Sequence, residues 1–421
     1  MKNEVIIGDC VEVLKQFDDE SIDCIVTDPP YGYSFMGLEW DKALPSLDAL
    51  NECQRVLKSG AFGFFMCAPR QDVLSRMIIR LEEAGFRVDF SFIGWSYASG
   101  FPKATNASKA VDKKLGAKRE KIKKEYSGNT FYRMEGQNTR PWMEEALKVG
   151  YHLSDSNTPI TQEAQCLDGA YLGFQPKPAL ECIITVMKPL SEKTYVDQAL
   201  NNGKGVTWLG NCKIPCEPPH HDDAGRTSGN GFTKQGGSVY HTDPNGRFPA
   251  NLLVSDDVLN NGVITKSTGG PANLEKLGSS DIYKYTDHKR GFHPGDSGSF
   301  SRYFSLDAWF NKKIQELPEE QQKTFPFLIV PKPSKSEKNK YIENKHPTVK
   351  PLKLMSYLIT LGSREGDVVL DPFAGSGTTL EACKLLNRVF IGIDKDPENE
   401  KYMVARGQLN TCTLNNFEEV V

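Results

Sequence analysis

A chain of 421 residues with 38% apolar content can bury a large core, as one domain with substantial insertions or as two domains. Its net charge of −3 excludes a globally basic nucleic-acid binder, and the lack of any long uninterrupted apolar run excludes a membrane-spanning helix. Ten scattered cysteines suit reduced thiols, and the start MKNEVIIGDC lacks the layout of a secretory signal, so a cytoplasmic location and no membrane partner are expected.

Taken in order, residues 4–8 form a short β-branched strand ending at Asp9, and 11–17 read as a helix. A second strand over 22–27 runs into Asp28-Pro29-Pro30-Tyr31. Residues 47–57 are helical and stop at Ser59-Gly60, 61–67 are a wholly apolar strand, 72–84 a helix and 87–95 a further strand. Short apolar strands alternating with helices predict an α/β fold with a mostly parallel sheet covered on both sides.

That rhythm breaks at residue 103. Between 103 and 124 nine lysines and arginines, among them Lys103, Lys109, Lys113 and Lys114, face only Asp112 and Glu120. Such a patch suits a phosphate backbone, or is a solvated helix face. Strand character returns over 179–187, and residues 191–318 are then rich in Gly, Asn, Ser, Asp and His. Both tracts are too long for passive connections and read as inserted recognition elements. From Pro347 the sheet pattern resumes: helix 352–361, strand 367–370, helix 378–386 and a strand over 389–393 that ends at Asp394.

The segment VVLDPFAGSGTT, 368–379, is a strand, a small-residue loop and a helix start. Gly375 and Gly377 allow a ligand to approach the backbone, and the helix beginning near Thr378 offers unpaired amides. Asp394 follows Asp371 by 23 residues, the spacing at which an acid meets ribose hydroxyls in a dinucleotide-type unit. Asp371 disfavours a pyrophosphate ligand and suits one with a cationic end; S-adenosylmethionine carries a sulfonium, an ammonium and a ribose.

At the other end of the chain, prolines after Asp28 remove ladder donors and leave the carbonyls of Asp28 and Pro29 facing a cleft. Two adjacent acceptors match an exocyclic amino group, and Tyr31 offers a stacking face worth on the order of 1 to 3 kcal/mol. Taken alone, PPY is most simply a proline-rich strand exit with a packing tyrosine; its pairing with the C-terminal loop points instead to a base pocket.

The two segments DPPY, 28–31, and DPFAGSGTT, 371–379, together resemble the amino-group DNA methyltransferases that modify adenine N6 or cytosine N4. The target-base motif precedes the cofactor motif, which is similar to the β-type order of that family. The resemblance implies a circularly permuted Rossmann-like sheet of seven strands with an inserted target-recognition region. Within it, 1–102 would be the N-terminal catalytic part, 103–175 a basic DNA-contacting insertion, 176–190 a catalytic strand, 191–318 the target-recognition insertion and 319–421 the cofactor-binding part. It also implies catalytic roles for Asp28, Pro29, Pro30 and Tyr31, and DNA contacts for Lys103, Lys109, Lys113 and Lys114. S-adenosylmethionine would be held by Asp9, Thr348, Lys350, Asp371, Pro372, Phe373, Gly375, Gly377, Thr378 and Asp394. The segments GWSYASG, QPKPALECIITVMKP and GRFPANLLV resemble phage and prophage members.

Asp rather than Ser at position 28 tilts the expectation to adenine N6 in duplex DNA, with cytosine N4 as the alternative. A homodimer and a cognate restriction enzyme stay open. Cys212, Cys216, His220 and His221 could form a metal site, but four ligands in one short proline-rich run make awkward geometry and none is expected. Cysteine-based attack would need a thiol beside the prolines, where Tyr31 stands, and Cys24 and Cys67 read as buried packing residues. Protein-glutamine methylation favours Asn where Asp28 stands. A silent nucleic-acid binder is the non-enzymatic alternative.

Overall fold

The computed structural model describes residues 2–32, 41–97, 104–125, 151–174, 176, 179–215, 246–266, 297–322, 339 and 349–407. They fall in two compact units, 1–99 with 179–421, and 100–178.

The larger unit is built on eight strands: β1 (Glu4–Ile7), β2 (Cys24–Thr27), β3 (Phe62–Cys67), β4 (Ile93–Ser96), β5 (Leu180–Met187), β6 (Leu252–Val254), β7 (Val368–Asp371) and β8 (Val389–Asp394). Their order across the sheet is β1-β8-β7-β2-β3-β5-β4-β6, with β5 alone antiparallel to both neighbours. The sheet therefore joins the two ends of the chain. Ile7 pairs with Asp394 and Ile25 with Leu370.

Side-chain alternation explains why both faces are covered. Along β2 and β3, Cys24, Val26, Phe62, Phe64 and Met66 enter one apolar cluster, whereas Ile25, Phe65 and Cys67 enter the other. Helices α1 (Cys10–Leu14), α2 (Leu47–Val56) and α3 (Gln71–Glu83) supply Val13, Leu50, Val56 and Met77 to the second cluster. The first is filled by α5 (Leu306–Gln315), α6 (Leu352–Gly362), α7 (Thr378–Leu385) and α8 (Glu400–Gly407). Every residue of α6 is buried, Lys353 included, and its ammonium is paired with Asp307. A helix apolar on nearly all sides belongs inside the core. Helix α4 (Tyr195–Asn202) ends on Gly203 in the left-handed region.

Three expectations need correction. The sheet has eight strands among the described residues, not seven, because Leu252–Val254 from the GRFPANLLV segment adds β6 beside β4. The tract 191–318 also supplies α4 and α5 to the larger unit, where Trp309 packs edge-on against Tyr357 with ring centroids 4.9 Å apart. The strand expected over 87–95 is paired continuously only from Ile93 to Ser96. Ile93 faces Ile183, but Arg87 bridges Met187, so the intervening segment is longer than the stretch of β5 opposite it and leaves the ladder.

The smaller unit pairs Lys121–Glu125 with Tyr151–Asp155 and Thr105–Asn106 with Tyr171–Leu172, both antiparallel, beside a helix Ala107–Lys114. Its anchor is Asp112, 1% exposed, which binds Arg119 at 2.7 Å and accepts from the amides of Ile160 and Thr161 and from the Thr161 hydroxyl. Among the described residues no helix is long and apolar enough to cross a membrane.

A buried ion cluster closes the larger sheet at its rear edge. Asp23 accepts from Lys58 at 2.6 Å, Lys204 at 2.8 Å and the Val368 amide at 2.9 Å, tying the start of β2 to that of β7. Burial alone would raise this carboxyl, but the two lysines and the amide outweigh it and hold it below the ordinary carboxylate range. A depressed carboxyl adds stability above its unfolded value of about 4, and that stability is lost as pH falls through the folded value. Asp23→Asn is therefore expected to destabilise the protein by about 1–3 kcal/mol at pH 7. The difference from wild type should shrink in urea titrations taken progressively below pH 4.

Candidate active site

Parallel strands β2 and β7 are neighbours, so the residues following them emerge at one edge of the sheet. The junction is locked by side chains. The Thr27 hydroxyl donates to Asp371 at 2.7 Å, the Thr379 hydroxyl to its other oxygen at 2.5 Å, and the Phe373 amide to the first at 3.1 Å. Asp371 is only 3% exposed, and burial raises its carboxyl to about 6 against the pull of those hydroxyls. This acid is turned inward and fastens strand to helix. Pro372 and Phe373 form the turn that follows it.

The glycine loop leads from this turn into α7. Gly375 and Gly377 have φ of 51° and 79°, in the left-handed region. A Cβ on Gly377 would lie 2.9 Å from the Met403 Cα, so glycine there serves both turn and packing. Asp394, at the end of β8, accepts from the Gly375 amide at 2.7 Å and from Asp396 and Asn399, which sets the loop's height. At Thr378 the hydroxyl accepts from buried Arg406 at 2.5 Å. Asp9 caps α1 through the Val11 amide at 3.0 Å and lies 3.3 Å from Lys395. Since Ile7 and Asp394 are paired, Asp9 and Asp394 share this edge too.

The DPPY segment closes on a charged cluster. The Tyr31 hydroxyl donates to Asp28 Oδ1 at 2.5 Å, and Lys350 Nζ lies 3.1 Å from Asp28 Oδ2, 2.8 Å from Glu181 Oε2 and 3.2 Å from the Tyr31 hydroxyl. Tyr97 donates to the other Glu181 oxygen at 3.4 Å. Burial pushes the Asp28 carboxyl up, Lys350 opposing and Glu181 adding to the rise. Tyr31 is raised well above its ordinary value by burial, then by Asp28 and Glu181. Burial works against the Lys350 ammonium, but Asp28 and Glu181 prevail and raise it.

Beneath this cluster Asp41, 3% exposed, accepts from the amides of Tyr31 at 2.7 Å and Gly32 at 3.0 Å. It supplies the acceptor for two amides of the turn that follows the prolines. Neither Asp41 nor Glu181 is marked by a motif. Glu181 leaves one trace, a charge inside the apolar strand LECIITVM.

Residues 233–405 match the family model described as DNA methylase. That match takes in less than half of the chain. A stretch of 74 residues is 51% identical to the Type II methyltransferase M.HindIII of Haemophilus influenzae, 17% of this chain and 23% of that one. Another of 65 residues is 51% identical to the Type II methyltransferase M2.DpnII of Streptococcus pneumoniae, 15% and 24% respectively. The chain thus spans about a quarter of the length of the curated relatives it matches. Among solved structures, the cytosine-N4-specific PvuII DNA methyltransferase aligns over 98% of this chain and 88% of its own, at 14% identity and a TM-score of 0.40.

Not every residue expected at the site lies among the described ones. Thr348 and Lys103 are outside the described residues, as are Cys216, His220 and His221. Cys212 is buried behind α6, its thiol 4.0 Å from the Tyr357 carbonyl. Cys24 and Cys67 are fully buried, and burial, with Cys182 and Asp28 adding, lifts the Cys67 thiol to about 12. Lys113 and Lys114 are exposed at the end of their helix, and Lys109 donates to the Asp155 carbonyl at 3.3 Å.

Proposed function

We propose that the protein is a DNA methyltransferase acting on the exocyclic N6 of an adenine swung out of the duplex, with S-adenosylmethionine as methyl donor. The observation that carries this reading is the emergence of DPPY and of the glycine loop from adjacent parallel strands at one sheet edge. Residues far apart in sequence then act on one bound pair of reactants.

The donor set suits this cofactor. Asp9 and Asp394 offer carboxylates to hydroxyl and ammonium groups, and Gly375, Gly377 and Thr378 bring backbone within reach of the ligand. Asp371, Pro372 and Phe373 support that loop from beneath rather than meeting the ligand with a free charge. When bound, S-adenosylmethionine supplies a methyl group activated by its sulfonium.

The chain's own contribution lies with the acceptor. An aromatic amine is a weak nucleophile because its lone pair is delocalised into the ring. Asp28 and the Pro29 carbonyl accept the amino hydrogens, Tyr31 stacks on the base with Pro30 fixing its approach, and the nitrogen is held in line with the methyl. No covalent enzyme intermediate is needed. The inert Cys67 thiol agrees with that. Aspartate at position 28 favours adenine.

Isotope-labelled methyl transfer to duplex DNA followed by nucleoside analysis should yield N6-methyladenine. N4-methylcytosine would overturn the base assignment, and no transfer the whole reading. Asp28→Ala is expected to lower kcat at least about a hundredfold while leaving cofactor affinity near wild type. Asp394→Ala should weaken cofactor binding first, by about tenfold in calorimetry, because it loses both a ligand contact and the hold on Gly375. Duplex DNA should meet Lys109, Lys113 and Lys114 of the smaller unit. Reversing the last two to Glu should weaken DNA binding and reduce the slope of log affinity against log salt by about 2.

A further inference from the structure

Lys350 precedes α6 in the HPTVKP segment, which resembles the cofactor side of the family's site. Its geometry points elsewhere. An ammonium has three hydrogens, and three oxygens surround this one: Glu181 at 2.8 Å, Asp28 at 3.1 Å and the Tyr31 hydroxyl at 3.2 Å. It hydrogen-bonds Glu181 and the Tyr31 hydroxyl and forms an ion pair with Asp28. The Tyr31 hydroxyl in turn donates to Asp28, so Asp28, Tyr31 and Lys350 form a closed ring with Glu181 holding it from β5. The ammonium also lies 5.5 Å from the centre of the Tyr31 ring.

We propose that Glu181 and Lys350 are positioning residues of the methyl-acceptor site: Glu181 anchors the Lys350 ammonium, which aims the Asp28 carboxylate and sets its charge. This assignment rests on the methyl-transfer reading above and moves Lys350 from the cofactor side to the base side.

The charge pattern gives the device a purpose. Two carboxylates share one ammonium, so the cluster keeps one net negative charge when both acids are ionised. The amino nitrogen becomes cationic as its lone pair forms the new N–C bond and the departing pair returns to sulfur, and the cation then loses one of its two amino protons to solvent. A residual negative charge at Asp28 favours that change. Too little compensation would leave Asp28 protonated, and too much would cancel its pull. Lys350 against Glu181 sets the balance. Among the described residues, the other groups that act on Asp28 are the hydroxyl of Tyr31, the thiol of Cys67 and the carboxyl of Asp371 on neighbouring β7, while the Tyr97 hydroxyl donates to Glu181.

The two residues push the Asp28 carboxyl in opposite directions, which distinguishes this role from scaffolding. Lys350→Met removes a nearby cation, raises the Asp28 pKa and moves the acid limb of the kcat profile to higher pH. Glu181→Gln removes a nearby anion and moves that limb to lower pH. Lys350→Arg keeps the charge and should keep the wild-type limb. Lys350→Met should also reduce kcat about a hundredfold, with the S-adenosylmethionine Kd within about twofold of wild type.

The experiment measures kcat against pH and calorimetric cofactor affinity for the four full-length proteins, each checked for folding by circular dichroism. Should Lys350→Met misfold, the isosteric Glu181→Gln still decides through its limb. Weakened cofactor binding with kcat preserved in Lys350→Met would overturn the inference, as would lowered kcat in both variants with neither limb displaced. Wild-type protein that transfers no methyl group at all would instead overturn the methyl-transfer reading on which this rests.

Discussion

Parallel pairing of β2 with β7 is the constraint on which the rest of the larger unit depends. It joins residues more than three hundred positions apart, and it is closed at the working edge by the hydrogen bond from Thr27 to Asp371 and at the rear by Asp23 on the Val368 amide. Such a long closure is less costly than it looks. Loop entropy grows only with the logarithm of length, by about 0.6 kcal/mol per doubling, whereas a two-sided sheet buries side chains on both faces of both strands, most of them apolar. The intervening chain can therefore carry a separate unit and further sheet elements without weakening the closure.

Four acids end strands at this edge or follow them closely, and they read alike in the sequence. Their surroundings give them different work. Asp371 is buried among hydroxyls and fastens β7 to β2 and α7. Asp394 holds the glycine loop through the Gly375 amide, and Asp9 caps a helix at the exposed rim. Asp28 alone is set against an ammonium and a phenol, where its charge can be tuned. Position relative to water and to hydrogen-bond donors, rather than residue type, separates scaffold from chemistry.

The smaller unit follows the same logic on its own scale. Its basic residues are legible as a cluster, yet Arg119 among them is consumed by the buried pair with Asp112, and Lys121 is matched by Asp155 at 2.6 Å. Lys113 and Lys114, at the exposed end of their helix, reinforce its C-terminal dipole and face solvent. A run of like charges thus divides into residues that hold the unit together and residues at its surface.

Much of the larger unit is written in local pattern. Apolar strands of four to six residues stopped by an acid, a glycine or, after β3, Pro69 identify β1, β2, β3, β7 and β8 to within a few positions, because burial on both faces favours an apolar run. The two motifs at opposite ends of the chain and their order are likewise present in the residues themselves. What local pattern could not supply is register and partnership. The polar stretch from Arg87 leaves the ladder because its spacing does not match β5, and Leu252–Val254 becomes a strand only because β4 offers an open edge. Glu181 and Asp41 enter the site only through the fold: one needs β5 between β3 and β4, the other a turn that brings the amides of Tyr31 and Gly32 to its carboxylate. Composition and periodicity determined which segments would be buried. Tertiary contact decided which buried or half-buried charges meet, since that depends on strand order and on the few ångströms between side chains that no linear spacing encodes.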